Sequence, residues 1–136
     1  MAHDLSRFVA AQATSYDTAL AELRAGRKRS HWMWWIFPQI AGLGRSETAR
    51  HYALASADEA RAYLAHPLLA SRLHAAAGAV LAAPGSAEDV MGPIDAIKLR
   101  SSMTLFAAVA DDPAPFRAVL DRFYGGEDDP ETVGRL

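Results

Sequence analysis

Apolar residues recur along this chain at steps of three and four, the spacing that gathers them on one side of an α-helix. Leu5, Phe8 and Val9 with Gln12, then Tyr16, Leu20 and Leu23, predict two short amphipathic helices that stop at Gly26. Ser56 followed by Glu59 predicts a capping box, in which two side chains satisfy free amides at the start of a helix running through Leu64. Another helix begins at Pro67 and carries Leu69, Leu73, Ala76, Ala77, Val80 and Leu81 on one face, until Pro84 and Gly85 stop it. Ser86 caps a short turn to Met91, and a helix of about 17 residues starts near Pro93. After Asp112 and Pro113 comes a helix with Phe116, Val119, Leu120 and Phe123 on one side, closed by Gly125 and Gly126. Asp129 and Pro130 begin a final turn.

No strand pair with a hairpin signal, no internal repeat and no low-complexity linker interrupts this pattern. The expected fold class is therefore all-α, an irregular multihelical bundle forming a single domain over residues 1–136. His31 to Gln39 is the ambiguous stretch: its tryptophans suit a strand as well as a short buried helix, and helix is the preferred reading.

Composition supports a folded helical domain. Alanine, the best helix former, fills about a fifth of the chain, and 51% apolar against 22% charged residues is the balance of a globular protein. A net charge of −2 argues against nucleic acid as a partner, because that footprint needs a basic excess over a whole face. The absence of cysteine excludes disulfides and thiolate chemistry. The opening residues carry no readable secretory signal, and Arg72, His74, Lys98 and Arg100 break the apolar stretches well short of a membrane span. The expectation is a soluble, cytoplasmic protein with no membrane contact; nothing in the sequence specifies its oligomeric state.

Two segments have the residue types that carry chemistry. In the first, Arg27, Lys28 and Arg29 run directly into Ser30, His31, Trp32, Trp34, Trp35 and Phe37. Cationic side chains neutralise phosphate or carboxylate, and an indole offers a flat face to a planar group. The plainer reading is that the basic run offsets the negative end of the helix closing at Gly26, while the tryptophans fill the core. His31 has the side chain of an acid, a base or a ligand, yet no second histidine stands at metal-ligand spacing from it, so no metal is expected.

The second segment is Ile94 to Val109. On a helical wheel Asp95, Lys98 and Ser102 share one stripe, flanked by Leu99, Met103 and Phe106 on one side and by Ile97 and Leu105 on the other. Such a helix belongs near the centre, and an ionisable group on it must be paired. Lys98 is then either a structural partner of Asp95 or an anchor for phosphate or carboxylate, with Ser101 or Ser102 as a hydrogen-bond donor. Dinucleotide, phosphate-loop, zinc-protease and nucleophile-elbow motifs are all missing.

With these segments in view, the chain resembles the domain of unknown function 1810 family. The resemblance spans nearly the whole chain through DLSRFVAAQ, YDTALAELRAGRKRSHWMWWIFPQIAGLGRS, ARHYALAS, EARAYLAHPLL, DAIKLRSSMTLFAAV and RFYGGEDDPETV, in the family's order. It implies a mostly helical domain and no particular activity. From the residues, the leading expectation is binding or processing of an anionic, nucleotide-like small molecule where the RKRSHW segment meets the DAIKLRSS helix. Arg27, Arg29 and Lys98 would hold negative charge, Trp32 or Trp35 a planar group, and His31 or Asp95 would move protons, with no cofactor required. The alternative is a protein interaction module with an aromatic and arginine patch.

Overall fold

In a computed structural model, which describes residues 3–136, the periodic segments become ten helices, and no strand forms among the described residues. They are α1 (Ser6–Ala13), α2 (Tyr16–Arg24), α3 (Met33–Ile36), α4 (Glu47–Tyr52), α5 (Ala57–Ala65), α6 (Pro67–Ala82), α7 (Ala87–Met91), α8 (Pro93–Val109), α9 (Ala114–Tyr124) and α10 (Pro130–Val133). The fold class is all-α, as the sequence predicts. None of the helices is long and apolar enough to cross a membrane. The ambiguous aromatic stretch yields one helical turn, α3. It is followed by a single parallel bridge between Ile40 and Leu54 that closes the loop around α4.

Two helices organise the rest. α6 packs on α2, α5 and α9, and α8 packs on α5, α7, α9 and α10, so their apolar faces meet one contiguous core. A chain of ring contacts runs through it: Phe8 of α1 meets Tyr63 of α5 edge-on at 5.2 Å, Tyr63 lies 5.4 Å from Phe106 of α8, and Phe106 lies 5.8 Å from Phe116 of α9. The buried amide of Gln12 donates to the Tyr63 hydroxyl and to the Trp35 carbonyl, which ties α1 to α5 and α3 without an unsatisfied donor.

α8 is central only in part. From Leu99 to Phe106 it is enclosed nearly all round, but its first turns reach the surface, where Ile94 is 71% and Ile97 is 69% exposed. Ile97, read from the wheel as one apolar flank of a buried stripe, therefore faces solvent. The junction that sets this course is Gly92, whose φ of 86° and ψ of 159° lie in a region open essentially to glycine alone. It turns the chain sharply from α7 into α8.

One local cap departs from the sequence reading. Ser56 accepts from the Glu59 amide as expected, but Glu59 does not return the bond to Ser56. Its carboxylate instead accepts from the Ala55 amide and pairs with Arg7 at 3.0 Å, joining α1 to α5 across a largely buried contact. The reciprocal box forms at Ser86 and Asp89. α4 starts at Ser46, whose hydroxyl accepts from the Ala49 amide.

Candidate functional site

The carboxylate of Glu22, in the last turn of α2, folds the basic segment back onto the bundle. It accepts from the Arg29 amide at 2.7 Å, the Ser30 amide at 2.9 Å, the Ser30 hydroxyl at 2.6 Å and the Trp32 indole at 3.0 Å. Partial burial raises its pKa, but the bonds from Ser30, Arg29 and Trp32 outweigh this and bring it from the ordinary 4.5 down to about 2. Ser30 is thus occupied by Glu22 and does not open α3 as a cap; α3 starts after Trp32 with no side-chain cap.

Beyond Glu22's grip the chain is pinned a second time, by the Lys28 amide donating to the Val90 carbonyl at 2.7 Å. This bond seats the basic segment against the end of α7, just ahead of α8. Burial alternates through this non-helical stretch: Arg27 and Arg29 are exposed, whereas the Lys28 side chain is only 8% exposed. The Lys28 ammonium donates to Asp95 at 2.9 Å and to the Ser30 carbonyl, and lies 4.9 Å from the centre of the Trp32 ring. The other Asp95 oxygen is 3.6 Å from the ammonium of Lys98, which sits 4.9 Å from the Trp34 ring. Asp95 is 19% and Lys98 25% exposed, so the pair lies in a partly desolvated recess.

That recess is a depression of about 320 Å³ between the basic segment, α3, and the α7–α8 junction. Lys28, His31, Trp34, Asp95 and Lys98 supply its polar and aromatic lining. Two ammoniums facing one carboxylate leave a net positive charge, and the free amides of the first turn of α8 add to it. Lys28 is saturated by a carboxylate, a carbonyl and a ring face. Lys98, longer from its carboxylate, retains donors for a ligand. The His31 ring is exposed at the mouth and makes no side-chain hydrogen bond with the described residues. Asp95, with both oxygens turned to ammoniums, is arranged as a counter-ion rather than as a proton acceptor.

The structure brings His31, Asp95 and Lys98 together as the sequence suggests, but redistributes the other candidates. Arg27 and Arg29 are turned outward by the alternation around Lys28. Trp32 is buried, with its indole committed to Glu22, and Trp35 packs toward the core with its indole donating to the Ser15 hydroxyl at 2.8 Å. Trp34 is the ring that edges the recess, because the single turn of α3 directs Met33 and Ile36 inward. Ser102 is fully buried, its hydroxyl without a partner among the described residues, and it reaches no depression. Ser101 donates to Asp129 at 2.8 Å and lines a neighbouring depression of about 300 Å³.

Glu22 and Lys28 are the two residues that sequence reasoning undervalued. Glu22 carried a signal, since an acid in the last turn of a helix opposes the macrodipole and needs a reason to be there. Lys28 differed from its arginine neighbours only by its place in the alternation. A larger depression of about 590 Å³ is lined by Glu47, Thr48, Arg50, His51 and Tyr52 of α4 alone, so it has no opposing wall to enclose a ligand. No group of three or more metal-ligating side chains forms among the described residues.

Comparison with known proteins places the chain firmly. Residues 2–136 match the family described as "Protein of unknown function (DUF1810)". The crystal structure of the conserved hypothetical protein Rv1873 from Mycobacterium tuberculosis, at 1.38 Å, is 52% identical. It superimposes with a TM-score of 0.96, the alignment covering 98% of this chain and 96% of that one. No curated protein matches in sequence.

Proposed function

The chain belongs to the domain of unknown function 1810 family, and on that premise we propose that it binds a small anionic ligand whose planar part lies against Trp34. The observation that carries this reading is the convergence of the Lys28 and Lys98 ammoniums on Asp95 alone, in a concave site beside an accessible indole. One unneutralised cation, a helix start and a ring face together match a phosphate or carboxylate attached to a flat group, as in a nucleotide. His31 is the group placed for proton transfer at the mouth. A cytoplasmic location belongs to the same proposal, and the cysteine-free composition is compatible with such a reducing compartment.

A thermal-shift panel of nucleotides, ADP-ribose-like compounds, sugar phosphates and small carboxylates tests it. A bound anion at a hundredfold excess over Kd raises the melting temperature by on the order of 10 °C. Lys98→Met removes that shift while leaving the far-UV helical signal intact, because Met suits a helix and nearly matches the lysine stem. A panel without a single stabilising anion, or a shift that survives Lys98→Met, would sink the reading. A second reading, a protein interaction surface, is favoured by Ile94 and Ile97, two large apolar side chains left in solvent on the same helix.

A further inference from the structure

The recess beside Lys98 does not end at Lys98. It shares that residue and Ile94 with the neighbouring depression, whose far wall is formed by the Gln39–Gly44 loop and by the start of α10. The two halves have opposite character. On one side stand Lys28, His31 and Asp95; on the other, Asp129 and Glu131; Lys98 and the exposed Ile94 border both, and the exposed Ile97 lines the acidic side.

We propose that the two depressions form one groove for a bipolar ligand, its anion held at Lys98 and a cationic amine at its other end facing Asp129 and Glu131 across Ile94 and Ile97. This rests on the anion-binding reading above and adds the class of molecule. Three features support it independently of the first half. The acidic wall is rigidly placed: Asp129 accepts from Ser101 at 2.8 Å and from Thr132 at 2.6 Å, and its own amide donates to Thr104 at 2.9 Å. Those side-chain bonds, outweighing partial burial, hold the Asp129 carboxyl below its usual range, so it stays charged near neutrality. Glu131 is exposed at the rim and makes no side-chain bond with the described residues, which leaves a carboxylate free for an ammonium.

The two isoleucines supply the middle of such a molecule with its contact. Their exposure is costly for a monomeric surface and is relieved by an alkyl or aryl segment laid along the helix. Along the helix Lys98 precedes Ser101, the partner of Asp129, by a rise of about 4.5 Å, and the reach of the side chains at both ends adds to the span a ligand must bridge. A molecule anionic at both ends would meet the acidic wall unpaired, and a simple cation would meet Lys98, so the groove discriminates by requiring one charge of each sign.

Titration calorimetry with two probes tests this: 4-(3-aminopropyl)benzoate, which carries both charges, and 4-propylbenzoate, which lacks the amine. The expected result is about three- to fivefold tighter binding of the aminated probe, the scale of one rim ion pair. Glu131→Gln removes that advantage and leaves 4-propylbenzoate unchanged, whereas Lys98→Met weakens both. Equal affinities for the two probes with dependence on Lys98 would overturn the bipolar ligand and leave the anion site standing. An amine advantage that persists in Glu131→Gln would equally overturn it, by placing the amine elsewhere. If neither probe binds at millimolar concentration, or if Lys98→Met changes nothing, the anion site itself fails and the bipolar groove with it.

Discussion

Glu22 bonds to four donors that follow it by seven to ten positions, and its charge is therefore a structural element of the site wall. Its folded pKa, about 2, lies below the ordinary 4.5, so the stabilisation it gives is complete above pH 4.5 and is lost as the pH falls toward 2. Glu22→Gln should accordingly destabilise the protein at pH 7 and cost progressively less below pH 4.5, as urea midpoints across that range will show. A constant difference at all pH values would mean that the charge is immaterial. The tryptophans differ in the same local way. Trp32→Ala empties a closed part of the core and should cost about 3 to 5 kcal/mol, whereas Trp34→Ala, at the recess edge, should cost about 1 kcal/mol or less. The second substitution should weaken anion binding with little change in the denaturation midpoint.

Among the elements, α6, α8 and α9 were legible almost to the residue, because each pairs a continuous apolar stripe with glycine or proline punctuation. α4 was not. Its six residues, Glu47 to Tyr52, include none that is buried, so no periodic apolar face exists to announce it. α3 was legible only as an aromatic block, since one turn cannot display a period. Which of its tryptophans faces the recess depends on the Glu22 clamp, a contact set by the fold rather than by local spacing. The same distinction explains the basic run: sequence shows three cations, and only the bond from Lys28 to Val90 decides which one turns inward. Gly92 tests the importance of a junction. Gly92→Ala meets no neighbouring atom, yet must hold a φ of 86°, and should destabilise by about 1 to 3 kcal/mol through backbone strain alone. Because the turn also aims the first residues of α8, anion affinity should fall with it.

At the scale of the molecule, the C-terminal residues close the helical array as a strap. Arg100 donates to the carbonyls of Glu127 and Asp128 at 3.1 and 2.7 Å, and Arg117 reaches the Asp128 carboxylate and the Gly126 carbonyl. Arg135 lies over Gly42 so closely that a β-carbon there would collide with its guanidinium. Truncation after Gly126 removes the bonds to Glu127 and Asp128 and those of Asp129 to Ser101 and Thr104, each worth about 1 kcal/mol, and should lower stability by about 5 kcal/mol. It should also erase the acidic wall while leaving the Lys28, Asp95 and Lys98 cluster in place. Affinity for 4-propylbenzoate surviving such truncation, measured below the lowered melting temperature, is the expected outcome.

All three tryptophans of the protein fall within the four positions from 32 to 35, two of them under lysine ammoniums. The intrinsic emission of the whole protein, excited at wavelengths that only indole absorbs, therefore originates in one short segment, of which Trp34 borders the recess. Trp32 is enclosed and sets a steady blue component, while Trp34 is partly open to solvent and faces the Lys98 ammonium. A ligand that displaces water from Trp34 should shift the spectrum toward the blue without any label being attached. The same light thus reports both unfolding and occupancy, the first through Trp32 and the second through Trp34.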